Sequence, residues 1–165
     1  MPALEAGTVA PEFNLAGVDG KKFSLTEALK RGPVLAAFFK VSCPVCQFTF
    51  PFLERLHQAY AGGPVTVVGI SQDVKQDTAA FLREYGITFP VLLDDTRSYP
   101  VSNAYGLTNV PSIFFITAEK GIEISSVGWS RQDFETFSAR LAPAAGKPAA
   151  RIFRAGEDIP DFKAG

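Results

Sequence analysis

The residues best able to do chemistry in this chain are two cysteines separated by two residues, Cys43-Pro44-Val45-Cys46, and the chain holds no others. Two thiols at that spacing can be joined into a disulfide and parted again, which points to redox exchange. They do not make a scaffold: two cysteines in 165 residues are too few for a disulfide framework, and the loop they close is too short to stabilise the fold much. A structural zinc site needs four ligands, against one cysteine pair and one histidine here. His57 lies eleven residues past Cys46, roughly 16 Å along a continuous helix, so it reads as a solvated helix residue. A copper-binding thiol chaperone is a weaker alternative, because holding a soft cation would take both thiolates and a third ligand that is not well placed. No metal and no cofactor are expected. Two inert buried thiols are the remaining plain alternative.

The elements around the pair argue for reactivity. Val34 to Val41 is an apolar run with the length and composition of a strand buried on both faces, and it delivers the chain to Cys43. From Pro44 the pattern turns helical, with Phe52, Leu53, Leu56 and Tyr60 on one stripe and Gly62-Gly63-Pro64 as the stop. Pro44 suits the first helical position, where its missing N–H costs nothing, and Pro51 should bend the axis. A helix N-terminus presents unpaired N–H groups and partial positive charge, which favours a thiolate at the first cysteine; free cysteine titrates near about 8.5. Cys43 is therefore expected to attack. Cys46, one turn on and facing inward, would resolve the mixed disulfide.

Further elements alternate along the chain. Phe13-Asn-Leu15 and Lys22-Phe23-Ser-Leu25 read as a hairpin around Gly17 to Gly20, followed by a turn or two of helix from Thr26 to Lys30. Strands are expected at Val65–Ile70 and Phe89–Leu93, with helices at Gln76–Tyr85 and Ser98–Tyr105. Ile113–Thr117 and Ile122–Val127 read as an antiparallel pair, followed by a helix from Arg131 to Leu141. This order implies a mixed sheet with helices on both faces. The body would span residues 1–142. The tail, residues 143–165, opens as an Ala/Pro/Gly-rich linker, although Ile152, Phe153, Ile159 and Phe162 could dock it.

Composition narrows the class. A chain of this length with 47% hydrophobic residues suits one core, and sixteen basic against seventeen acidic residues leave a formal charge of -1. That balance suggests neither a nucleic-acid footprint nor a polybasic membrane patch, and no stretch is long enough to span a bilayer. Met1 to Phe13 lacks both a basic leader and an apolar stretch of signal-peptide length, so a cytoplasmic location is the expectation. Nothing in the sequence specifies an oligomer.

Several segments taken together carry a family resemblance. They are Gly7-Thr-Val-Ala-Pro11-Glu-Phe13-Asn-Leu15, the cysteine pair, Pro51, the helix and strand between Ser71 and Asp94, and Val110-Pro111-Ser-Ile-Phe-Phe. The chain resembles the thioredoxin fold over roughly residues 7 to 141, in the redoxin branch of AhpC/TSA peroxiredoxins and TlpA-like reductases related to cytochrome c maturation proteins. The resemblance implies an α/β fold: a central mixed β-sheet flanked by helices, with an N-terminal hairpin and an inserted helix-strand unit. It implies that Pro111 follows a cis peptide bond and lies against the cysteines, with Pro44 and the Val110 backbone contacting substrate. The implied activity is thiol-disulfide exchange with protein or small-molecule thiols, and the implied partners are protein disulfide or dithiol substrates or a reductase.

The chain also departs from its relatives. Ser42 stands where thioredoxins usually have Trp, Ala37 where thioredoxin has a buried acid, and Thr49 where the reductase branch often has one. A peroxiredoxin-like thiol peroxidase, the main alternative, would place Thr three residues and Pro seven residues before its attacking cysteine. Those positions are Lys40 and Ala36. Without the threonine and a matched arginine, for which Arg97 and Arg131 are candidates by elimination, peroxide would be poorly oriented and peroxidase activity weak or absent.

Overall fold

Strand β3 (Val34–Phe39), buried along its whole length, is the axis of the fold. A computed structural model describes residues 3–165. The side chains of β3 alternate between two cores, as strand geometry requires. Leu35, Ala37 and Phe39 face a cluster that includes Phe50, Leu53, Leu56, Phe134 and Phe137, while Val34, Ala36 and Phe38 face Phe13, Leu25, Tyr105 and Phe114.

Around β3 the sheet runs in the order β5 (Val91–Leu93), β4 (Thr66–Ser71), β3, β6 (Ser112–Ile116), β7 (Ile122–Val127). β3, β4 and β5 are parallel, and β6 and β7 are antiparallel additions, which makes the sheet mixed. The expected hairpin is present as β1 (Asn14–Ala16) and β2 (Lys22–Ser24), with Leu15 opposite Phe23. α1 (Leu25–Leu29) follows at once, capped by Ser24. α2 (Pro44–Ala59) joins β3 to β4. α3 (Lys75–Tyr85) and β5 form the inserted unit, and α4 (Pro100–Ala104) precedes β6.

Two differences from the sequence reading have physical causes. β3 stops at Phe39, because the Val41 N–H turns to the Asp73 carboxylate at 2.8 Å instead of continuing a ladder. α5 (Arg131–Ala145) runs past Leu141 and through Pro143. Its alanines favour helix, and Gly146, with φ +68°, ends it in a Schellman turn: Lys147 N donates to Ala142 O and Gly146 N to Pro143 O.

Beyond Gly146 the chain folds back over the body. Ile152 is buried in the core, and the Tyr60 hydroxyl ties α2 to the tail, accepting from Ala150 N at 2.8 Å and meeting Ser138 Oγ at 2.6 Å. Arg55 grips the Glu157 carboxylate with both terminal nitrogens, at 2.8 and 2.7 Å, and holds that carboxyl down to about 2. Trp129, fully buried against Phe48, Phe52, Phe134 and Phe153, donates its Nε1–H to Pro160 O at 2.8 Å. β8 (Trp129–Ser130) then pairs with β9 (Phe162–Lys163).

The Tyr60 hydroxyl supplies a testable energy. Tyr60→Phe leaves the Ala150 N–H without its acceptor and is expected to lower unfolding stability by about 1–3 kcal/mol in a denaturant titration. A change within a few tenths of a kcal/mol would show that the tail is not held this way.

Candidate active site

Strand β3 and helix α2 meet at Lys40–Cys43, and the geometry there follows from the need to cap a helix. Cys43 is the N-cap residue, extended at φ -82° and ψ 117°, so its side chain folds over the first turn and accepts the Cys46 N–H at 3.2 Å. Gln47 N donates to Cys43 O at 3.0 Å as the first helical hydrogen bond, and Pro44 occupies the first helical turn, exposed. The preceding loop is clamped at Val41. Asp73 takes its N–H, and Gln47 Nε2 donates to its carbonyl at 2.9 Å.

The two sulfurs have different surroundings. Cys43 is half-buried, and its Sγ donates to Val110 O at 3.5 Å. Cys46 is fully buried; burial first, then its hydrogen bond with Cys43, pushes its thiol far above the ordinary cysteine range, and the Asp73 charge adds in the same direction. Solvent can reach one thiol while the other waits behind it, protonated. Both are free in this structure, the dithiol form.

The Val110–Pro111 peptide bond is cis, and Pro111 is buried, following directly on the Val110 carbonyl that Cys43 meets. Cys43, Cys46, Val110 and Pro111 are thus brought together by β3, α2 and the loop before β6. A cavity of about 250 Å³ borders the outer flank of Val110, lined by Lys40, Gln72, Leu107, Thr108 and Asn109. Other sequence candidates lie apart from the sulfurs or are engaged elsewhere. Arg97 is bonded to Asp95, Arg131 to Glu135 with its guanidinium over Phe153, and His57 packs edge-on against Phe89. Among the described residues no cluster of three or more His, Cys, Asp or Glu side chains could hold a metal.

One feature near the pair escaped the sequence reading, and one residue it had named takes on a definite setting. Asp73, whose carboxylate bears on both Val41 and Cys46, comes from the end of another strand, and only the parallel register of β3 with β4 brings it there. Thr49, three residues past Cys46, is fully buried with its hydroxyl unpartnered among the described residues.

These burial effects set expected outcomes. Iodoacetamide at neutral pH should modify Cys43 and spare Cys46, read by peptide mass spectrometry; equal labelling in the folded state would contradict the geometry. Tyr105, which donates to Pro11 O, is also raised by burial and by nearby Glu12. A thiol or phenol raised on folding keeps its proton when the unfolded chain would lose it. Stability of the reduced protein is therefore full below the unfolded values, about 8.5 for cysteine and 10 for tyrosine, and should fall as pH rises above them.

Comparison with known proteins agrees with this geometry. Over 115 residues the chain is 30% identical to the thiol-disulfide oxidoreductase ResA of Geobacillus thermodenitrificans, a match covering 69% of this chain and 64% of that protein. The chain thus spans somewhat under two thirds of that relative's length. A solved thiol:disulfide interchange protein from Chlorobium tepidum superposes with a TM-score of 0.70 at 28% identity, covering 88% of this chain and all of that one, 100%. The thioredoxin domain of a thiol-disulfide oxidoreductase from Bacteroides vulgatus gives a TM-score of 0.75 at 22% identity, over 84% of this chain and 99% of that one. The fold is thioredoxin-like. With the family model matching residues 6–125, the chain belongs to the AhpC/TSA family.

Proposed function

We propose that the chain is a thiol-disulfide oxidoreductase, exchanging electrons between the Cys43–Cys46 pair and the disulfides or dithiols of proteins or small molecules. One observation carries this reading: a half-exposed cysteine at a helix N-terminus, accepting an N–H at 3.2 Å, with a buried second thiol one turn behind it. In the reducing direction, Cys43 as thiolate attacks one sulfur of a substrate disulfide. A Cys43–substrate bond forms, the substrate S–S bond breaks, and the departing thiolate takes up a proton. Cys46 then sheds its proton and attacks Cys43 Sγ, the mixed disulfide breaks, and the second substrate thiol leaves. Two electrons and two protons pass to the substrate, and the chain is left with a Cys43–Cys46 disulfide.

The Val110 backbone, whose carbonyl meets Cys43, is the proposed contact for an extended substrate, with Pro111 and Pro44 shaping its approach. Substrates of this class or a reductase are the proposed partners. A cytoplasmic site of action is the companion proposal, because a reducing compartment would hold the pair as the donating dithiol. The peroxidase alternative is less favoured. Lys40 and Ala36 stand where the threonine and proline would be, and both candidate arginines are bound to carboxylates.

Insulin reduction with dithiothreitol as electron source tests the reading. The intact chain should accelerate it, Cys43→Ser should abolish the acceleration, and Cys46→Ser should accumulate a mixed disulfide on Cys43. Peroxide consumption should stay near the uncatalysed rate. Rapid, Cys43-dependent peroxide turnover without insulin reduction would favour the peroxidase.

A further inference from the structure

Asp161–Gly165 lies along the rim of the redox site, held by main-chain contacts. Trp129 pairs with Lys163 and Ser130 with Phe162, and Arg131 N donates to Asp161 O at 3.0 Å. Lys163 Nζ stands 5.2 Å from the centre of the Phe48 ring, near the start of α2. Past β9 the strand crosses Gly128, whose φ is +80° and where any Cβ would collide with the Lys163 carbonyl. It ends against the cis-proline loop: Asn109 Nδ2 donates to Gly165 O at 3.2 Å, and a Cβ on Gly165 would stand 2.5 Å from Val110 O. That carbonyl is the one that accepts from Cys43 Sγ.

The hold on this segment changes abruptly at Pro160. Up to that residue the tail is anchored by buried Ile152, the Arg55–Glu157 pair and the Trp129 hydrogen bond. After it every residue is exposed, Phe162 at 62%, and the segment is held by the Arg131–Asp161 hydrogen bond, the short ladder, the Asn109 contact and the Lys163–Phe48 approach, with no buried side chain of its own. An extended peptide recognised by a backbone edge needs that edge free. Here one flank of Val110 is taken by the chain's own extended backbone and the other opens on the cavity.

We propose that Asp161–Gly165 is a specificity-determining strap: it occupies the strip beside Val110 that an extended polypeptide disulfide would pair with, while leaving Cys43 open to small disulfides. The proposal rests on the oxidoreductase reading above. A protein disulfide reacts only with the fraction of molecules whose strap is displaced, so its apparent affinity is reduced by that fraction. Oxidised glutathione has no long backbone to pair and is not penalised.

Three reduced chains test this: the intact chain, a chain ending at Pro160, and Gly165→Val, which crowds the Val110 carbonyl. The first variant keeps the Trp129 acceptor and the Arg55–Glu157 pair. The rate of oxidation of each is measured with oxidised glutathione and with insulin. Both variants should react with insulin about five-fold faster or more, with glutathione rates within about two-fold of the intact chain. Insulin rates that stay the same or fall while glutathione rates hold would overturn the strap. Should the shortened chain lose both reactions it has misfolded, and Gly165→Val decides by the same criteria. An intact chain oxidised by neither disulfide removes the underlying oxidoreductase reading instead.

Discussion

Everything at this site depends on the Cys46 N–H meeting the Cys43 sulfur at the first turn of α2. An N-cap side chain must fold back over its helix to satisfy an otherwise unpaired donor, and here that side chain is a thiol. The same contact fixes the sulfur at the protein surface and places the second cysteine behind it. It also puts the Cys43 sulfur at the positive end of the helix, where the negative charge that moves between sulfurs during exchange is stabilised.

The rest of the molecule serves to hold that junction still. β3 is clamped between two cores and paired on both sides, so its exit point cannot drift. Asp73 and Gln47 then bind both polar groups of Val41, which fixes the loop two residues before Cys43. From the other side, the loop before β6 brings the Val110 carbonyl to the sulfur. Burial of Cys46 follows from its inward place on the helix, and that burial separates the attacking thiol from the waiting one.

The nucleophile, its helix and the strand that delivers it are legible because they are local: an apolar run, a Pro after a Cys, and a stripe at helical spacing. The less legible parts depend on contacts between distant residues. The end of β3 is set by Asp73, thirty-two residues from Val41, and no local pattern announces it. The tail is a different matter. Gly156-Glu-Asp-Ile-Pro160-Asp-Phe162 repeats the spacing of Gly7-Thr-Val-Ala-Pro11-Glu-Phe13, and both copies begin with a glycine at positive φ, +85° and +93°. The first copy docks at the start of β7, through Gly7 N to Ile122 O, and the second lies beside β8 just past its end. That repeat is a signal of docking present in the sequence, whereas the Ala/Pro/Gly-rich opening at Pro143 points only to a linker. The departures at Ala37 and Thr49 were visible too, but the approach of Asp73 to Cys46 needed the sheet register.

The central claim, that these two sulfurs act as one reversible two-electron couple, is most directly tested by a redox titration of the intact chain in a graded dithiothreitol series, read by mass and by Trp129 fluorescence. The expected result is a single transition between dithiol and Cys43–Cys46 disulfide, with about 30 mV separating each tenfold change in their ratio. A chain in which no bond forms between Cys43 and Cys46 across the series, or in which the two thiols oxidise independently, would contradict it.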